Sequence, residues 1–535
     1  MKVAAILPVL TMLTVSLRAQ APAAKPGSVE GVVTNSVTGE PVKKANVLLG
    51  TNYTAITDAA GHFHFDNVTP AIDYSLLAEK DGFQAIRTTR QRVTVAEEQH
   101  VQDVALKLMP LATVSGHIFD EDGDPIPRAI IAVLRYFYGP GRKGLNPAAF
   151  AQSNDLGEFE AINLAPGRYY FEVTASPARN IPPHTRWTHP EEAYPVTFYP
   201  NAREAGQATA TDVAAGAHLN NIDFRLRKML AYHIRGTVND QSARTGAEGR
   251  VQVESSGSPF GGNITGAVIK ADGSFDVRGM ASGSYTVSYF RFDSGGGLGT
   301  GARETVRVSD TDVNGVALAL KPPIDVSGTV TVEGAQPDKL NLRVVLSATQ
   351  GRVQQRNSGE SADGGFVLKA VAPQIYQLRI SNVPPGKYVK SIRLGDREIN
   401  NGEIDLTEHT SAALSLVLGA DGGEVDGTVQ NASGQPAAST QVLLAPAEEY
   451  DARSDLLKHA STDASGNFQI KDVAPGDYKV FAWESDPEGS TQSAEFRKPF
   501  ESKGIVVTVG PKEKASVQLN VITTDDVERE RSKLP

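Results

Sequence analysis

The sequence predicts an all-β protein, built as a tandem array of about five β-sandwich domains. Three observations carry this. Short apolar stretches alternate with polar residues at period two and are punctuated by glycine, proline, aspartate and asparagine, the pattern of half-buried strands joined by tight turns. One turn–strand–turn–strand unit recurs along nearly the whole chain. A chain of 535 residues, 40% hydrophobic but only 7% aromatic, is too long for one core and divides into several modest ones.

The unit is most complete at residues 463–483. Asp463-Ala464-Ser465-Gly466 is a turn, with Gly466 supplying a positive φ, and Phe468 and Ile470 then alternate with polar neighbours. Pro475 and Gly476 make a second turn, after which Tyr478, Val480 and Ala482 alternate again.

In chain order, the first residues read as an address. Lys2, the apolar stretch from Val3 to Leu17 broken by Pro8, and the small residues around Ala19 and Ala21 form a signal peptide over residues 1–21. The stretch is brief for about 30 Å of hydrocarbon, and no later segment is apolar enough to span a bilayer. A soluble protein outside the cytoplasm, periplasmic or extracellular, is expected. With no cysteine anywhere, the sequence lacks a lipobox, disulfides, thiolate chemistry and Cys-ligated zinc.

Each module opens on a strand with a central glycine: Val29-Glu30-Gly31-Val32-Val33, then copies centred on Gly116, Gly236, Gly328 and Gly427. The glycine lets another backbone or a ring come close. A turn follows in most copies, as at Thr38-Gly39-Glu40-Pro41 and Ser433-Gly434-Gln435-Pro436, and then an apolar strand such as Ala45-Asn46-Val47-Leu48-Leu49. The first turn of the unit recurs at Asp58, Asp155, Asp272 and Asp363, and the second at Pro70, Pro166, Ser282 and Pro373. A closing strand completes each copy. The divisions are residues 27–109, 112–228, 231–321, 324–419 and 422–522, with a charged, frayed tail at 523–535. About seven short strands per module, each with one apolar face, bury themselves only as two packed sheets, with Phe159, Ile162, Tyr169 and Phe171 facing inward in the second module. Short junctions such as Lys321-Pro322-Pro323 predict a semi-rigid string.

The V-x-G-x-V opening, the D-x-x-G-x-F turn and the L-x-P-G-x-Y turn resemble the carboxypeptidase regulatory-like domain, most closely in modules one, two and five. The resemblance implies a Greek-key, transthyretin-like β-sandwich related to the carbohydrate-binding-like fold, and a domain that binds, spaces or presents rather than catalyses. The loop ending Phe198-Tyr199-Pro200-Asn201 and the segment from Val383 to Ile392 are similar to long secreted acidobacterial proteins carrying such arrays.

A net charge of −10 without any basic cluster argues against nucleic acid as a partner. His62, His64 and Asp66 share one strand face and have the residue types of a zinc site. The plainer reading is a solvent face opposite Phe63 and Phe65. His189-Pro190-Glu191-Glu192 has an H-x-x-E spacing but lies in a proline-flanked loop with no partner histidine in a matching context. Asp120, Asp122 and Asp124 alternate like the start of a calcium loop, yet Ile131 occupies the twelfth position, where a bidentate glutamate belongs. A plain turn is the favoured reading and a weak calcium site the alternative. No phosphate loop or nucleophile elbow is present. Neither a catalytic residue nor a cofactor is expected.

Two stretches exceed what a sandwich needs. The first runs from Arg135 through Tyr136, Phe137 and Tyr138 into a loop reaching Phe150. The second, residues 181–199, holds Trp187, Tyr194, Phe198 and Tyr199. Rings on long loops stack on sugars or anchor peptides, so Tyr136, Tyr138, Trp187, Tyr194, Phe198 and Tyr199 are the candidate ligand-binding residues. The competing reading is that they pin the loop to its own sandwich. Trp483 is assigned to the core. The expected function is a secreted, non-catalytic binding or spacer protein with polysaccharide or envelope glycan as first ligand class. An adhesive array contacting other envelope proteins is the alternative, and a metal-dependent hydrolase using His184 or His189 the remote one.

Overall fold

The computed structural model describes residues 25–531, apart from 86–90, 176–191, 241–248, 259–264, 293–297, 335–339, 350–355, 362–363 and 410. The signal segment 1–21, Trp187, His184, His189 and the last residues of the tail lie outside the described residues. The chain forms two compact units, Met1–Pro110 and Leu111–Pro535.

All five modules are built on one plan of strands packed around an inner core, as two sheets in modules one to four; in module five Ala482 and Trp483 pair in parallel with Val521 and Ile522 and join the strands into one seven-stranded sheet. The opening strand pairs antiparallel with the strand after the first turn and parallel with the closing strand. Gly27–Asn35 does so with His62–Val68 and His100–Pro110, and Gly423–Gln430 does so with Asn467–Val473 and Lys514–Ile522. The central glycine is where the closing strand approaches. A Cβ on Gly31 would sit 2.0 Å from the Val104 carbonyl oxygen and one on Gly427 1.9 Å from that of Val517, while on Gly328 it would meet the Phe366 ring. No side chain fits there.

The first turn is held by its leading side chain. Asp58 and Asp463 each accept two backbone N–H bonds through Oδ1, and in the second module Asn154, one residue before the expected Asp155, does this. The second turn carries a tyrosine whose hydroxyl donates back to a carbonyl: Tyr169 to Ala165, Tyr285 to Ala281, Tyr376 to Ala372 and Tyr478 to Ala474, four residues earlier in each case, and Tyr74 to Thr69. Just before this turn one residue takes positive φ: Asn67, Asn163, Gly279, Ala370 and Asp472. That bulge corrects the inward placement of Ile162. The strand register shifts between Ala161 and Leu164, so Phe159, Ala161 and Leu164 face the core and Ile162 is 56% exposed.

A buried hydroxyl recurs in modules one, two and five, a feature the sequence reading missed. Thr57 accepts from Ala45 N–H (2.8 Å) and donates to Val42 O (2.6 Å). Ser153 bridges Ala129 and Ile126 in the same way, and Thr462 bridges Thr440 and Ala437. Each bridge ties down a backbone corner whose preceding residue (Lys44, Arg128 or Ser439) has positive φ.

Within the second unit the modules are not a string. Glu192–Ala193, from the long loop of module two, pairs with Leu230 and Met229 at the start of module three. Module four bonds to module five through Gln377, whose Nε2 donates to Ala452 O, and Gly386, whose N–H donates to Asp472. Module five in turn meets module two.

Candidate functional site: a junction of modules two and five

The stretch from Arg135, expected to lead into a loop reaching Phe150, forms a long β-hairpin instead. Ile130–Gly139 pairs antiparallel with Arg142–Gln152, and a bulge between Val133 and Leu134 accommodates Pro147 on the edge strand. Alternation then sorts the rings. Ile131 and Val133 enter the inner core of module two, while Ala132, Leu134, Tyr136 and Tyr138 face outward.

The outward face does not meet solvent at its far end. Tyr138 is buried in a cluster with Leu443, Phe481, Trp483, Phe496 and Phe500 of module five and Val527 of the tail that follows it. Its ring lies 5.7 Å from Phe496, and Trp483 lies 5.0 Å from Phe500 edge-to-face. Phe496 and Phe500 come from residues 487–503, a run of short helical turns inserted after the strand Gly476–Trp483. Trp483 is core, as expected, but on the outer face of its sheet. Val480 and Ala482 fill the inner one. Val527 belongs to the helix Thr524–Arg531, which corrects the expectation of a frayed tail over those residues: the buried valine docks it.

Polar groups seal the contact. The buried Asp451 carboxylate accepts from Arg497 Nη2 (2.6 Å), Ala494 N–H (2.9 Å) and, across the junction, Gly141 N–H at the hairpin tip (3.3 Å). Gly141 has φ +63°, and a Cβ there would lie 2.3 Å from Ala452 Cβ. Lys143 pairs with Glu495 at 2.7 Å and sits over the Tyr136 ring at 4.7 Å. Two residues on, Arg453 forks onto Asp455 and donates to Val389 O of module four. Residues 451–453 therefore touch three modules. Burial, with Glu495 nearby, pushes the Tyr138 hydroxyl up to about 12.

The six candidate rings do not form one open platform. Phe198 is fully buried on the outer face of module two with Leu134, Leu145 and Tyr170. Tyr194 is in the inner core, and Tyr199 packs 5.8 Å from Phe224. Tyr138 is in the junction, Tyr136 is half-buried beneath Lys143, and Trp187 is outside the described residues. A loop of this length stays ordered by spending its rings on its own scaffold. Tyr136 also lines an open cleft of about 330 Å³, with Arg135, Phe137, Asn146 and Asn163. A second cleft of about 340 Å³, on module five, is lined by charges that pair internally, Glu448 with Lys498 and Lys479 with Glu501.

The other candidates are engaged locally. His64 bonds Asp66 (2.8 Å) on an exposed strand face. Asp120 accepts the N–H groups of Asp122 and Asp124, the hydrogen bonding of a turn. Among the described residues no cluster of three metal-ligating side chains is found, and no helix is long and apolar enough to cross a membrane.

Residues 28–107, within module one, and 424–520, within module five, match the carboxypeptidase regulatory-like domain family. No curated protein matches the chain in sequence. Among solved structures the chain is similar to the Bacillus anthracis TIE protein, with 8% identity over 76% of this chain and 73% of that one and a TM-score of 0.17. It is also similar to a streptococcal ancillary pilin (11% identity, 54% and 98% covered, TM-score 0.19) and to GBS52, the minor pilin of Streptococcus agalactiae (13% identity, 37% and 94% covered, TM-score 0.20).

Proposed function

We propose that this chain is a non-catalytic structural protein of the cell envelope, in which modules two to five act as one body that presents loops and sheet edges to other envelope proteins. The supporting observation is the junction. Aromatic side chains from opposite ends of the second unit close on each other around Asp451, so the long hairpin of module two is used for internal bracing. A braced body holds its outer surfaces at fixed spacing, which favours simultaneous contacts. Co-purification of the tagged full chain from cross-linked envelope fractions tests this. Defined protein partners retained by the native chain and lost on Tyr138→Ala support it. A partner-free protein, or partners indifferent to the loss of bracing, refutes it.

A second reading, glycan binding, is favoured by the cleft between Phe137 and the Asn146 and Asn163 amides, which joins a ring to planar polar groups. Retention on insoluble polysaccharide that falls in Phe137→Ala and Asn146→Ala supports it. No retention, or retention unchanged in both variants, removes it.

A further inference from the structure

Edge strands in this protein mostly carry charge. His62–Val68 holds two histidines and an aspartate, Arg356–Ser361 an arginine and a glutamate, Lys458–Ser461 a lysine, and Asn467–Val473 a lysine and an aspartate. Such residues keep an open edge from pairing with another chain. The strand Ile505–Val509 of module five breaks the pattern. Its sequence is Ile-Val-Val-Thr-Val, without a charge or a proline. It pairs on one side with Gly476–Trp483 and, among the described residues, with no strand on the other. Val507 and Val509 point into the core, whereas Val506 is 69% exposed and Ile505 42%. Tyr53–Ile56, Phe83–Ala85, Thr265–Val268 and Val313–Ala319 are also uncharged edges, but none is β-branched throughout, and the longest, Val313–Ala319, is interrupted near its start by Asn314 and the positive-φ Gly315.

The Ile505–Val509 strand is β-branched at every position, so it can pair with a second copy of itself. Folded antiparallel on a second copy about Val507, Ile505 faces Val509, Val506 faces Thr508, and the flanking Gly504 faces Gly510. Every cross-strand pair among Ile505–Val509 is then β-branched on β-branched, the kind that packs best on a pleated surface. We infer that two copies of this chain associate through their Ile505–Val509 edges, joining the two module-five sheets into one continuous sheet across a twofold axis. A twofold contact is self-complementary and closes on itself, so it yields a dimer and not a fibre. The inference goes beyond the structural role proposed above and does not depend on it.

The test uses the full chain. Sedimentation equilibrium over a concentration series should show a reversible monomer–dimer system. Val506→Lys, at an exposed position, should raise the dimer dissociation constant roughly tenfold or more by placing two cations diagonally across the pairing, with thermal unfolding unchanged. Because the protein has no cysteine, register can be read directly. Mixed Val506→Cys and Thr508→Cys chains should cross-link on mild oxidation far more than either variant alone, since opposed strand residues lie within disulfide reach. A monomer at every concentration, a dimer indifferent to Val506→Lys, or cross-linking no greater in the mixture than in the single variants would each overturn the inference.

Discussion

Truncating Tyr138 tests whether the junction is held by apolar packing. Its ring is 4% exposed and contacts Phe496, while its hydroxyl is buried with no hydrogen-bond partner. Tyr138→Ala removes a large buried ring and should weaken docking by about 3–5 kcal/mol. Because 1.4 kcal/mol is a factor of ten, that raises the undocked population by at least about a hundredfold. Tyr138→Phe keeps the ring and removes only the unpaired hydroxyl, so it should be neutral or stabilise by up to about 1 kcal/mol. Native-state hydrogen exchange reads both. Residues 130–152 and 487–503 should exchange about a hundredfold faster in the alanine variant, with the doubly paired strand Gly423–Gln430 of the module-five inner core unchanged. Trp483 emission, measured in a Trp187→Phe background, should shift to longer wavelength. Unchanged exchange in Tyr138→Ala, or opening of the junction in Tyr138→Phe, would refute the argument.

Three further outcomes are expected. Thr462→Val leaves the buried Thr440 N–H without its partner and the Ala437 carbonyl with only the longer bond from the Thr440 hydroxyl (3.3 Å), and should cost about 1–3 kcal/mol, while Thr462→Ser, the residue module two uses at Ser153, should cost much less; denaturant unfolding decides. Ala370 has φ +53°, where Gly279 stands in module three, so Ala370→Gly should stabilise module four by about 0.5–1 kcal/mol in thermal unfolding. Burial holds the hydroxyls of Tyr138, Tyr285 and Tyr478 at about 12, above their ordinary 10.0. A raised folded-state value means stability is fully present below pH 10 and is lost as the pH climbs from 10 to 12. A pH series of melting temperatures should bend there, and less steeply in Tyr138→Phe.

Fold class was legible because its signals are local. Alternation at period two, a glycine every opening strand needs for close approach, and the Asp-to-Phe and Pro-to-Tyr turn units each act within a few residues, so a single sequence displays them. The buried Thr57, Ser153 and Thr462 bridges left only a small hydroxyl before each first turn, too ordinary a residue to notice without the corner it ties. The bulge that turns Ile162 outward shows in sequence as no more than Asn163. Its effect depends on the register of the paired strand.

The sequence by itself determined the repeated two-sheet plan, the turns and the excess of rings in module two, because these follow from side-chain periodicity and backbone preference. Tertiary structure alone decided what those rings do. Alternation puts Tyr136 and Tyr138 on the outer face of their strand, but whether such a face meets solvent, a ligand or another domain depends on what is brought against it. Here the helical turns at residues 487–503, some 350 residues further along the chain, supply Phe496 and Phe500, and the burial they offer converts an apparent binding surface into a brace.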